Sequence, residues 1–126
     1  MPPVKSTAMG FFGRFRKPSV SAAEAIRQVA DGVTLLDVRE NREWNAGHAP
    51  GAIHIPADQV AATAARRLPK GKPVIVVCRS GARASGATTA LLALGIEAAN
   101  LKGGMRAWES AGGRVVGKGN RPGIVA

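Results

Sequence analysis

Short β-branched runs alternate with helix-patterned stretches along most of this chain, and few architectures accept that alternation. Val33-Thr-Leu-Leu-Asp-Val38 is apolar on both faces until Asp37, so it reads as a buried strand of a parallel sheet. Ala52-Ile-His-Ile55, Pro73-Val-Ile-Val-Val77 and residues 98–101 read as further strands, the third being the strongest signal. Between them lie helical segments. Ala22, Ala25, Ile26 and Val29 fall at helical spacing over residues 22–30, behind a Ser21/Glu24 capping-box pattern. Residues 41–46 form a short helix closed by Gly47, and the Ala-rich stretch 57–67 ends in Arg66-Arg67, which suits a helix C-terminus. Residues 84–94 and 105–111 complete the set, closed by Gly95 and by Gly112-Gly113. The pattern predicts an α/β fold: a small parallel sheet of four to five strands, helices on both faces, and right-handed crossovers.

A length of 126 residues suits one domain. The spacing predicts a basic, Phe-containing tail over residues 1–18, a folded domain over 19–116, and a flexible, Gly-rich tail over 117–126. The folded stretch contains no Phe and no Tyr, so its core must come from Ala, Val, Leu and Ile, with Trp44 and Trp108 as the bulky members. Six of the ten net positive charges fall in the two tails, which leaves the middle only mildly basic. No basic helical stripe or aromatic RNA-binding pattern accompanies them, so no nucleic-acid partner is expected.

The three Phe residues, Phe11, Phe12 and Phe15, sit among arginines in residues 9–17. A frayed or back-folded tail is the expectation there; a weak peripheral contact with anionic membranes is the sharper alternative. No run of about 18 apolar residues is present for a membrane-spanning helix, and no apolar stretch follows the basic start as a secretory leader would require. With one cysteine, Cys78, there is neither an intrachain disulfide nor a Cys-cluster metal site, and a cytoplasmic protein is expected.

Ligands of open parallel α/β sheets bind beyond the carboxyl ends of the strands. Cys78 falls there, directly after Val74–Val77 and before a helix. The N–H groups of residues 79–83 are not committed to a helical ladder and can converge on one point. With Arg79 and Arg83 beside them, they favour the thiolate over the thiol. The alternative is a buried packing cysteine, but an inert residue has no need of two nearby guanidinium groups.

Several motifs now resemble one family. Leu36-Asp-Val-Arg-Glu40, Glu43-Trp44, Gly47-His-Ala-Pro-Gly-Ala-Ile-His-Ile-Pro56, Val77-Cys-Arg-Ser-Gly-Ala-Arg83 and Leu101-Lys-Gly-Gly-Met-Arg-Ala-Trp108 occur in the order of a single-domain rhodanese, over about residues 20–116. The resemblance implies a sulfurtransferase. Cys78 would take a sulfane sulfur from thiosulfate or a persulfide donor, hold it as a covalent persulfide with no other cofactor, and pass it to a thiol, cyanide or a protein partner in a sulfur relay. The loop Arg79, Ser80, Gly81, Ala82 and Arg83 would be the anion cradle. Four residues separate Cys78 from Arg83, whereas cysteine phosphatases use five; the shorter ring suits one added sulfur atom, and a cysteine phosphatase or arsenate reductase is an alternative. A non-catalytic interaction module is a further alternative.

The resemblance also implies a supporting shell of Asp37, Arg39, Glu43 and His48 around the loop, with Arg39 bridging to Glu43 and His48 fixing a loop. Direct substrate contact by Asp37 and Arg39 is the alternative. His48 and His54 lack the neighbouring ligands of a metal site, so no metal is expected. Gly103-Gly104 lacks the Lys-Ser/Thr of a phosphate loop and reads as close helix packing.

Overall fold

The structure is a computed structural model that describes residues 18–126. The expectations for residues 9–17, a frayed tail or a membrane contact, lie outside the described residues. The elements in chain order are β1 (Ser19–Val20), α1 (Ala22–Ala30), β2 (Thr34–Asp37), α2 (Asn41–Ala46), β3 (Ile53–His54), α3 (Val60–Arg67), β4 (Val74–Val77), α4 (Ala82–Ala93), β5 (Ala98–Leu101) and α5 (Gly104–Ser110). A short 3-10 turn, Ala57–Gln59, leads into α3, so the predicted helix 57–67 is two pieces.

All five strands pair in parallel, in the order β1-β5-β4-β2-β3. This is the parallel α/β architecture that strand–helix alternation predicts. β4 is central and buried at all four positions, which is why a two-faced apolar run such as Val-Ile-Val-Val is needed there. Alternate residues feed two cores. Leu36, Val74 and Val76 meet Val60 and Ala64 of α3 and Ala84, Ala87 and Leu91 of α4. Leu35, Ile75, Val77, Ala99 and Leu101 meet Ala25 of α1 and Met105 and Trp108 of α5. Small alanines let these helices approach the sheet closely.

Two sequence expectations are corrected, and the C-terminal segment makes contacts that its composition does not predict. Ser19–Val20, read only as the lead into the first helix, forms the edge strand beside β5. Trp44, expected in the core with Trp108, is half-buried outside both core clusters and stacks instead on two histidines. Residues 117–126, expected as a flexible tail, lie back against the loop after α2. Ile124 N–H donates to Ala46 O at 3.0 Å, and Val116, just before the segment, exchanges backbone bonds with His48 at 2.9 and 2.8 Å. Glycines on both sides permit this contact: a Cβ on Gly123 would stand 2.8 Å from Gly47 Cα, and one on Gly47 2.3 Å from Ile124 O. No helix among the described residues is long and apolar enough to cross a membrane.

Candidate functional site

Cys78 sits at the carboxyl end of the central strand, in the Cys78–Gly81 connection to α4. The helix begins at Ala82, two residues earlier than the spacing predicts, so Ala82 and Arg83 of the expected cradle already lie in its first turn. Gly81 makes the turn with φ +116°, a left-handed conformation that favours glycine. Two N–H groups with no helical carbonyl to bond, those of Gly81 and Ala84, donate to Cys78 Sγ at 3.0 and 3.3 Å. Sequence reasoning expected the converging group to come from residues 79–83; Ala84 lies one residue beyond it. The thiol is only 1% exposed. Burial alone would suit a packing residue, but two amide dipoles aimed at the sulfur favour negative charge there.

The first turn of α5 supports this loop from beneath. Met105 N–H donates to Cys78 O at 2.7 Å and Arg106 N–H to Arg79 O at 3.3 Å. A Cβ on Gly104 would lie 2.4 Å from both carbonyl oxygens, so only glycine lets α5 approach this closely. Gly103-Gly104 therefore serves backbone packing against the cysteine loop. Ser80 is exposed, and the exposed Arg79 donates through Nε to Ala126 O at 2.8 Å.

The expected supporting residues divide into two ion pairs. Arg39 and Asp37 are fully buried and joined side by side: Arg39 Nη2 donates to Oδ2 at 2.8 Å, Nε to Oδ1 at 3.0 Å, and the Arg39 backbone N–H to Oδ1 at 3.0 Å. Arg39 Nη2 also donates to Gly47 O at 2.7 Å, tying the end of β2 to the loop after α2. The expected bridge from Arg39 to Glu43 is not formed. Glu43 pairs with Arg83 instead, Nη1 to Oε1 at 2.6 Å and Nη2 to Oε2 at 2.8 Å. Those hydrogen bonds hold the Glu43 carboxyl down to about 2, against its burial, and in turn raise Arg83 above its ordinary value. Glu43 also closes a capping box with Glu40, so one carboxylate anchors both α2 and the first turn of α4.

His48 donates from Nδ1 to Trp44 O at 2.8 Å, and His54 from Nε2 to Arg39 O at 2.7 Å. Both imidazoles stack on the Trp44 indole, with centroids at 3.6 and 4.7 Å. Each ring is thus held in place by a carbonyl and an aromatic face. No group of three His, Cys, Asp or Glu side chains that could hold a metal ion occurs among the described residues.

A profile of the rhodanese-like domain matches residues 21–111. The chain belongs to the rhodanese-like domain family. Its relatives include the Bacillus subtilis (strain 168) protein named "Putative sulfurtransferase YtwF", 33% identical over 72% of this chain and 87% of that protein. Another from the same organism, named "Putative sulfur carrier protein YrkF", is 34% identical over 72% of this chain, which spans only 50% of that relative's length. Among solved structures, the rhodanese-like domain of the Anabaena sp. Alr3790 protein superposes with a TM-score of 0.73 at 30% identity, covering 80% of each chain.

In this rhodanese-like domain an open cleft of about 520 Å³ lies over the carboxyl end of β2, beside the cysteine loop. Val38, Glu40, Asn41, Arg42, Pro56, Ala57, Asp58 and Arg83 line it. Val38 packs in the same cluster as Cys78. Sequence reasoning missed Arg42, Asp58 and Glu40 as site residues, since lone surface charges in helix caps and turns carry no pattern. The Glu43–Arg83 pair was missed because its members are forty positions apart.

Proposed function

We propose that this domain is a sulfurtransferase that carries sulfane sulfur on Cys78, taking it from thiosulfate or a persulfide donor and giving it to a thiol or cyanide acceptor. The observation that carries this reading is the pair of amide donors, Gly81 and Ala84, directed at Cys78 Sγ where the central strand ends. Donors fixed by the fold stabilise negative charge on sulfur without reorganisation during reaction. The Cys78 thiolate attacks the outer sulfur of the donor; a new S–S bond forms at Cys78 and the donor's S–S bond breaks. The electron pair departs on the leaving group, sulfite from thiosulfate or a thiolate from a persulfide. An acceptor thiolate or cyanide then attacks the outer sulfur of Cys78 and returns its thiolate.

Cys78 is the only cysteine of this domain, so the acceptor comes from outside the domain. A relative named as a sulfur carrier supports a protein partner in such a relay. The persulfide is the only carrier the chemistry asks for, and a lone free thiol suits the reducing cytoplasm. Turnover of a sulfane donor by wild-type and Cys78→Ser protein tests the reading. The variant should be inactive with its fold intact, and undiminished turnover would refute the mechanism.

A further inference from the structure

A thiosulfate-type donor brings a sulfonate into the site and leaves as the sulfite dianion, so it needs a cation with free donors in the cleft. Two guanidinium groups line the cleft, Arg83 and Arg42. Both terminal nitrogens of Arg83 are engaged by the carboxylate of Glu43, at 2.6 and 2.8 Å. Glu43 stays ionised at any working pH, because Arg83 holds its carboxyl down to about 2. Arg42 extends into solvent, with its side chain 79% exposed, and lies 3.7 Å from Glu40. Asp58 adds a further carboxylate to the lining. Three carboxylates therefore lie in or behind a cleft that holds two guanidinium groups, and the Nη1–Nη2 edge of Arg83 is already taken by Glu43. The uncharged lining is Val38, Asn41, Pro56 and Ala57.

Resting on the sulfurtransferase reading above, we infer that Glu43 sets donor choice by occupying Arg83, so that the cleft selects a persulfide borne on a thiol over a dianionic oxo-sulfur donor. A persulfide offers its outer sulfur to the Cys78 thiolate and departs as a thiolate that takes up one proton, so no dianion has to be held. Like-charge placement against the unwanted donor is a general route to specificity.

The test compares two probes, thiosulfate and glutathione persulfide, by the rate at which each adds sulfur to Cys78 in quenched intact-mass measurements. Comparing the ratio of the two rates between proteins removes the intrinsic reactivity of each donor. In Glu43→Gln the thiosulfate rate should rise about tenfold relative to the persulfide rate, the worth of one charge-assisted hydrogen bond made available. Glu40→Gln combined with Asp58→Asn removes two cleft charges from exposed positions. It should shift the ratio in the same direction even if Glu43→Gln fails to fold. An unchanged ratio in the double variant and in folded Glu43→Gln overturns the inference and leaves the persulfide chemistry standing. Failure of both probes to load wild-type protein overturns the sulfurtransferase reading itself, and the inference with it.

Discussion

The Glu43–Arg83 pair makes a quantitative prediction about acid stability. Glu43 is nearly buried, with its side chain 6% exposed, and its carboxyl falls from 4.5 to about 2 on folding. A carboxyl depressed by folding contributes stability that is complete above its unfolded value and is lost as pH falls from there toward the folded value. Treating Glu43 as a single site, the loss is about 1 kcal/mol by pH 4 and about 2 kcal/mol by pH 3. In urea titrations of a domain this size, the loss at pH 3 moves the midpoint by about 1 M. Glu43→Gln keeps the shape but cannot titrate. The assay is the difference between pH 7 and pH 3 midpoints, measured for wild type and for Glu43→Gln. Carboxylates common to both proteins cancel in this difference. Wild type should lose about 1 M more than the variant across that interval. Equal losses would refute the claim that Arg83 binds the Glu43 carboxylate in the folded protein.

Two further substitutions probe the frame that positions the cysteine. Gly104→Ala places a methyl group 2.4 Å from the Cys78 and Arg79 carbonyl oxygens, at φ +64°. Overpacking and left-handed strain together should destabilise by about 3 kcal/mol and lower Tm by roughly 10–20 °C; a thermal melt checks this, and an unchanged Tm would mean the two backbones are not in contact. Trp108→Ala empties the largest aromatic site of the α1/α5 core and removes the indole N–H bond to Arg114 O at 2.8 Å. It should cost about 3–5 kcal/mol by urea denaturation, and a loss under about 1 kcal/mol would contradict its placement in the core.

Much of the fold was legible because β4 and most of β2 are buried on both faces, which favours β-branched and aliphatic runs such as Val74–Val77. The helices announced themselves through Ala-rich spacing and closing glycines. Ser19–Val20 escaped notice because two residues directly before the Ser21 cap have no periodicity to read; its strand identity comes wholly from β5. The loop of Cys78 was visible because strand, cysteine, glycine and helix are contiguous in sequence. The partner of Glu43 was not. Arg39 is four positions away and Arg83 forty, yet Arg39 turns to Asp37 and Gly47 O, which leaves Glu43 for α4. The contacts of the segment after Gly117 were illegible for a related reason: glycine signals freedom in an isolated chain but close approach when another backbone, here at Gly47, comes to meet it.

The central claim concerns one sulfur atom. Intact mass spectrometry of protein exposed to a sulfane donor, with Cys78→Ser run alongside, tests it most directly. Wild type should gain the mass of a single sulfur, lose it on addition of excess thiol, and yield the modified peptide containing Cys78, while the variant gains nothing. Persistent absence of the adduct from wild type with every sulfane donor tried, or its appearance in the serine variant, would contradict the account.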